Sequence, residues 1–428
     1  MDEVDQLPVV IVGAGAAGLM AAIHAAAGTR PVLLLEGSDR PGQKILISGG
    51  GRCNVLPDQA SHTDFVSDSS PNLVRKVLAA WPLADVRRFF EAELGVPLKL
   101  EAETGKLFPA SDRAHTVLDA LMTAYVQRGG RLRTAARVTD LSRGDDCWAV
   151  QLSSGETIRA ARVVLATGGL SVPATGSDGA GLRIARELGY AIVPTYPALV
   201  PLTGSNPAHR ALAGVSVQAR VWASDEGPMT KDQERHSTVA GRRSSVVSSH
   251  GGFLFTHRGY SGPAVLNVSH VVTRAMADGG AKPALLVQWT DLDAAAWDAL
   301  LRAGSGPALP LLRRKLPERL ATQLLTETGL AQADLSQLRR EDRARLVEAL
   351  TRYPLPWAGS EGYKTAEVTG GGVSLADVNP ATLESRRAPG LYLCGELLDA
   401  FGPIGGYNFL WAWVTGRIAG LAAGGRDE

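Results

Sequence analysis

The stretch VVIVGAGAAG, Val9 to Gly18, decides the fold. Val9 to Val12 form a short, largely β-branched run, the mark of a strand buried on both faces. From Ala16 to Ala27 small and apolar residues suit a helix, and Gly28 ends it. Between the two lies Gly13-Ala14-Gly15-Ala16-Ala17-Gly18, a G-x-G-x-x-G turn. Gly13 permits the tight turn, Gly15 lets the backbone approach a pyrophosphate, and Gly18 lets helix and strand pack closely. The helix start, with Ala16 and Ala17, then presents free N–H groups and a partial positive charge to phosphate.

A glycine turn alone is weak, so its surroundings matter. A second apolar strand, Val32 to Leu35, leads into Glu36 and Gly37, and Glu36 is the acid expected about 20 residues on to accept ribose hydroxyls. The nearly uncharged run from residue 9 to 28 also has the length of a membrane span. The acidic MDEVDQLP before it is wrong for the basic start of a secretory signal, and its glycines already serve the turn. No membrane association is expected.

After Glu36 a nicotinamide dehydrogenase would continue with regular strand–helix units. This chain instead enters the loop GSDRPGQKILISGGGRCNV, with Arg40, Lys44, Ser48, Gly49, Gly50, Arg52, Cys53 and Asn54. A second glycine-rich, cationic loop suits a dinucleotide that extends past its pyrophosphate, as non-covalent FAD does with its ribityl chain and isoalloxazine ring. Far downstream, RVVLATGGLS (Arg162 to Ser171) runs a strand into Thr167 and Gly168, where small residues permit a further backbone crossing. Gly390 to Gly420 give a strand ending at Gly395-Glu396, a tight loop with Asp399, and Gly405-Gly406 before a terminal apolar helix. A helix amino terminus at the flavin's pyrimidine end would stabilise the negative charge that collects there on reduction.

Composition narrows the alternatives. The 428 residues are 45% hydrophobic and 20% charged, with a formal net charge of +1, so no long-range field for nucleic acid is implied. Cys53, Cys147 and Cys394 are far apart and form no C-x-x-C, which argues against a disulfide framework or structural zinc and favours a reducing cytoplasm. His250 and His257 flank a strand with no third ligand, so no metal site is expected.

The middle of the chain has a different texture. Spaced prolines in GYAIVPTYPALVPL (Gly189 to Leu202) suggest an exit from the first domain. SVQARVWA (Ser216 to Ala223) and GGFLFTHRG (Gly251 to Gly259) read as strands of a second sheet, and leucines at three- and four-residue intervals make Asp291 to Tyr353 helical. The polar, basic segment Lys231 to Gly252 reads as a mobile surface loop. The fold class is therefore α/β: a discontinuous Rossmann-like FAD-binding domain, its parallel sheet part of a three-layer ββα arrangement, with an inserted β-rich plus helical domain. The expected boundaries are 1–193 and 356–428 for the FAD domain, 194–285 for a β-rich, barrel-like insert and 286–355 for a helical one.

The motifs GAGAAG, GQKILISGGGRCN, LATGGLSVPATGSDGAG, FTHRGYSGPAVLN, TGGGVSL and GLYLCGELLDAFGPIGGYNFLWAW together resemble the BaiN/RdsA-like family of bacterial FAD-dependent oxidoreductases over nearly the whole chain. In layout the chain is also similar to glutathione-reductase-type and fumarate-reductase-type FAD domains. The resemblance implies that Gly13, Gly15 and Gly18 cradle the pyrophosphate, with Glu36 on the adenosine ribose. It implies that Lys44 and the turn Ser48 to Asn54 follow the pyrophosphate, ribityl and ring region, and that Val138 offers its backbone to adenine. Thr167 and Gly168 would pass near the cofactor, Glu396 and Asp399 would meet its ribityl or pyrophosphate side, and Gly405, Gly406, Tyr407 and Asn408 would cap the flavin. Pro109, Ser111 and Arg113 would approach the site. Where typical members read Asn-Val-Thr-Asn, this chain reads CNVLPD (Cys53 to Asp58).

The flavin carries the redox chemistry, and the protein supplies orientation and a proton. Cys53, beside Arg52, and Tyr407 are the weak catalytic candidates, each balanced by a packing role. With no second G-x-G-x-x-G, NAD(P)H is the candidate transient reductant. The resemblance implies a small-molecule substrate, through reduction of a conjugated C=C in steroid-like acids or oxidation of aminoketones. An RNA-modifying flavoprotein and a non-catalytic FAD-binding redox sensor are the alternatives, and nucleic acid is not the expected partner. The sequence leaves the oligomeric state open.

Overall fold

The computed structural model describes residues 7–224 and 247–425, so most of the polar segment Lys231 to Gly252 lies outside the described residues. The chain divides into two compact units, Met1–Thr195 with Val368–Glu428, and Tyr196–Glu367.

The first unit is built on five parallel strands: β1 (Val9–Val12), β2 (Val32–Leu35), β3 (Arg131–Arg133), β4 (Arg162–Leu165) and β5 (Leu391–Leu393), in the spatial order β5-β4-β1-β2-β3. Strand β1 lies at the centre, with Val9 opposite Val32 on one side and Arg162 on the other. All four of its residues are at most 5% exposed, as a β-branched strand covered on both faces must be. The strand Val138–Arg143 opens an antiparallel three-stranded meander with Trp148–Leu152 and Thr157–Ala160. Together with the helices this meander bears out the expected α/β class with its ββα character.

Helix α1 (Ala16–Ala25) stops two residues before the expected end at Ala27. Helix α2 spans Gln43–Gly51, but Ser48 turns extended at ψ 150° and Gly49 and Gly50 take left-handed φ of +57° and +69°. The segment expected as an open loop therefore begins with a helical turn and breaks where the triple glycine starts. Helix α3 (Tyr407–Gly424) packs along α1 through small residues. A Cβ on Gly416, Gly420 or Gly424 would stand 2.3, 2.3 and 2.8 Å from the carbonyl oxygens of Ala17, Ala21 and Ala25. The two backbones touch directly, and only glycine permits that approach.

The second unit carries a seven-stranded sheet in the order Tyr353–Pro354, Ala284–Gln288, Ser216–Ser224, Val247–Phe255, Gly259–Ser261, Leu202–Gly204 and Trp357–Ser360. Helices Ala294–Ala303, Ala308–Arg313, Glu318–Glu327 and Arg340–Thr351 pack on it over one core that includes Phe253, Phe255, Trp289, Trp297 and Leu346. The β-rich and helical inserts drawn from the sequence thus share one core. Trp357–Ser360 belongs to this sheet, which moves the return from the expected residue 356 to 368. The exit falls at 195 rather than 193.

Among the described residues, no helix is long and apolar enough to cross a membrane, and no group of His, Cys, Asp or Glu could hold a metal ion.

Candidate functional site

The carboxyl end of β1 turns at Gly13, whose φ of +101° only glycine adopts without strain. A Cβ there would stand 2.5 Å from the Ala166 carbonyl oxygen, and one on Gly18 would stand 1.7 Å from the Gly13 carbonyl. Gly15, the N-cap of α1, makes no side-chain cap, and a Cβ on it would meet nothing within 4 Å. The first N–H groups of α1 are therefore bare and unclaimed by a cap, which suits an anion. Close by in the fold, after β4, the buried Thr167 hydroxyl has no partner among the described residues.

Glu36, 9% exposed, accepts from the Ala14 N–H at 2.9 Å and from the Ser38 N–H at 2.8 Å. The Ala136 and Ala135 N–H groups bond the carbonyls of Glu36 and Ser38 at 2.8 and 2.9 Å, bringing the chain into Val138 alongside. Gly37 lies against Arg137, and Arg40 is exposed.

Lys44, on α2, gives its ammonium to Glu396 Oε2 at 2.7 Å and to the Ser171 hydroxyl at 2.6 Å. Ser171 Oγ donates to Glu396 Oε1 at 2.5 Å, and the Thr369 N–H bonds the same oxygen at 3.0 Å. Burial alone would push the Glu396 carboxyl up, but the Lys44 charge and these hydrogen bonds hold it below the usual carboxylate value. Lys44 and Glu396, both expected along the cofactor, are thus each other's partners. Asp399, 3% exposed, accepts from the Asp68 N–H at 2.9 Å, and burial raises its pKa in spite of that bond. Its role is to hold the segment Ser67 to Asp68, whose serine hydroxyl donates to the Asp399 carbonyl at 2.5 Å.

The remaining candidates gather at the amino terminus of α3. Gly406 has φ +94°, and a Cβ there would stand 2.4 Å from the Leu56 carbonyl carbon. With its amide turned to the orientation that satisfies both groups, Asn54 joins the same two strands of chain, donating to the Leu56 carbonyl at 3.2 Å and accepting from the Gly406 N–H at 3.1 Å. Asn408 closes the preceding turn, accepting from the Gly402 N–H and donating to the Gly402 carbonyl, both at 2.9 Å. Its amide is spent on the loop. Beside Gly405, the Tyr407 ring and the Lys106 side chain stand 3.6 and 3.9 Å from where a Cβ would sit. Tyr407 is half-buried and meets Phe65 edge to face at 6.2 Å, and its phenol is raised by burial and by the Asp64 charge, which keeps it protonated.

Two expectations change. Arg52 points away from Cys53: it pairs with Glu101 at 3.2 Å and lies over the Phe108 ring at 3.9 Å. Cys53 is fully buried at φ +64°, and burial, only partly offset by a hydrogen bond from Ser48, pushes its thiol to about 12. A neutral, enclosed thiol is a packing group and a poor nucleophile. Gly50 differs from Gly406: a Cβ on it meets nothing within 4 Å, so conformation rather than space demands glycine there. Ser111 bonds Thr116 at 2.7 Å and Arg113 precedes the helix Ala114–Gln127, so both serve that helix start.

Ser171, Thr369 and Lys106 were not singled out from the sequence. The first sat inside the quoted LATGGLS motif, read only for its small residues. Thr369 opened the quoted TGGGVSL motif, read only for its resemblance, and Lys106 carries no local signal.

A bare helix terminus and a wall of backbone without side chains fit a long, anionic dinucleotide. The sequence profile of the HI0933-like protein Rossmann domain matches residues 7–422. A ribosomal RNA dihydrouridine synthase of Escherichia coli (strain K12) is 32% identical over 96% of this chain and 96% of its own. A 3-dehydro-bile acid delta(4,6)-reductase of Clostridium scindens is 32% identical over 97% of this chain and 98% of its own. Among solved structures, a variant of the E. coli quinol fumarate reductase FrdA aligns with a TM-score of 0.50 at 19% identity, covering 98% of this chain and 70% of that one, a likeness of fold.

Proposed function

This chain belongs to the HI0933-like Rossmann family, and on that premise we propose that this FAD-dependent oxidoreductase reduces a carbon–carbon double bond conjugated to a carbonyl group. The two relatives named above support the reaction class, since saturating a 3-keto steroid diene and saturating the uracil ring both add two hydrogens across such a bond. The observation that carries the FAD part is the meeting, within one unit, of two glycine cradles from opposite ends of the chain: Gly13 with Gly18 against Ala166, and Gly406 against Leu56.

Bound FAD supplies hydride transfer. The chain does the rest. The N–H groups at the start of α1 would hold the pyrophosphate and Glu36 the adenosine ribose. The Lys44–Glu396–Ser171 cluster holds three distant segments of the site in register. The partial positive charge at the start of α3 faces developing negative charge, and Tyr407, kept protonated, is the candidate proton donor to the carbon next to the carbonyl.

A small conjugated ketone is the first substrate class. A uracil ring in ribosomal RNA is the second, favoured by the names of the E. coli and Haemophilus influenzae relatives, the latter 30% identical. The net charge of +1 gives no electrostatic support to RNA binding. The test is anaerobic: purified yellow protein is bleached with NADH or NADPH, and recovery of colour is followed on adding a conjugated steroid ketone or unmodified ribosomal RNA. Recovery with the ketone alone supports the first class and recovery with RNA alone the second. Recovery with neither, from a protein that bleaches normally, overturns the proposed reaction.

A further inference from the structure

Lys106 ends up beside the start of α3 without being assigned any role. It opens the strand Lys106–Pro109, which pairs with Leu56–Pro57 on one side and Leu98–Glu101 on the other. Its Cε stands 3.9 Å from where a Cβ on Gly405 would be, next to the Tyr407 ring. Its ammonium makes no hydrogen bond or ion pair within the described residues. Glu101, directly across the strand pair, is already committed to Arg52 at 3.2 Å and to the Thr104 hydroxyl at 2.6 Å. Glu101 feels the Lys106 charge, but more weakly than it feels Thr104 and Arg52. A half-buried cation with no direct ion pair among the described residues, at the same place as a helix amino terminus and a stretch of bare glycine backbone, suits an anion.

We infer that Lys106 is the cationic partner of the flavin's pyrimidine oxygens and thereby sets the reduction potential of the site, an inference that rests on the FAD binding proposed above. Two electrons and one proton added to the isoalloxazine leave one net negative charge, spread over N1 and the neighbouring oxygen. A full charge from Lys106 adds to the partial charge of α3 and favours that reduced form over the neutral oxidised one.

The test measures the midpoint potential of bound FAD against a reference dye, with FAD content read from visible absorbance, in wild type, K106M, K106Q and K106R. Both neutral variants are expected to shift the two-electron equilibrium toward oxidised flavin at least tenfold, about 30 mV, and K106R to stay within threefold of wild type. Wild-type potentials in K106M and K106Q overturn the inference, as does a shift that K106R fails to recover. Loss of FAD from the neutral variants alone supports a charge contact, whereas loss from all three variants means a packing role and overturns it. A wild-type protein that cannot hold FAD at all would sink the functional proposal instead.

Discussion

Replacing Lys44 with methionine removes one half of the ion pair with Glu396 while keeping most of the side-chain bulk. The two side chains are only 25% and 19% exposed, so the carboxylate would be left with the Ser171 hydroxyl and the Thr369 N–H as its remaining partners. Breaking a fully buried pair from one side costs about 3–5 kcal/mol, and the residual access of water here brings the expected cost to about 2–3 kcal/mol. Removing both charges, as in K44M/E396Q, is expected to recover most of that loss, because no buried charge then lacks a partner. Equilibrium urea unfolding at pH 7, with the same excess of FAD in every sample, measures both values. The pair also fixes a sign. The folded-state pKa of Glu396 lies below its unfolded value, so its contribution is complete above the ordinary carboxylate range and fades as pH falls below it. If K44M unfolds within about 0.5 kcal/mol of wild type at pH 7, the pair is not what joins these segments.

Gly406→Ala forces an L-residue to φ +94° and drives a Cβ into the Leu56 backbone; about 1–3 kcal/mol of strain is expected, with loss of flavin seen as a fall in visible absorbance per protein. Cys53 should resist alkylation by iodoacetamide in the native protein at pH 8 and react only on unfolding, and C53A should retain activity within about threefold. In the second unit, burial would raise the Glu327 carboxyl, but bonds from His209 at 3.1 Å, from Gln323 at 2.8 Å and from Tyr353 at 2.9 Å bring it down to about 2. With the folded value below the unfolded one, this contribution is present above about pH 4.5 and is lost as pH falls toward about 2. Fluorescence of Trp289, 5.5 Å from the Tyr353 ring, should report that loss, and E327Q should flatten it.

The first βαβ unit was legible because its determinants are local: a β-branched strand, three glycines at fixed spacing and an acid after the second strand. Both strands, β1 and β2, fall on the residues expected. The Lys44–Glu396 pair was not legible, since 352 residues separate its members and neither has a sequence neighbour that betrays the other. Cys53 misled for the opposite reason. Adjacency to Arg52 suggested a charge effect, but a left-handed φ at Cys53 sends the two side chains apart, one into the core and one over Phe108. Trp357–Ser360, preceded by Pro354 and Pro356 and containing Gly359, carries turn-like composition, and its place as an edge strand is set by pairing with Leu202–Gly204. Tertiary pairing, rather than propensity, decided each of these.

The glycine seam between α1 and α3 has a consequence for biogenesis. Residues 16–25 emerge from the ribosome early, yet the glycine-rich face that covers one side of them is encoded at 407–424. At about 5–20 residues per second, roughly 20–80 s of translation separate the two. Throughout that interval the amino-terminal helix can settle on β1, β2 and the helix Ala114–Gln127, but its alanine-rich flank toward α3 stays uncovered. The nucleotide-binding half therefore matures late and all at once, and a nonsense codon ahead of Gly416 should yield a degraded chain rather than a partly working one.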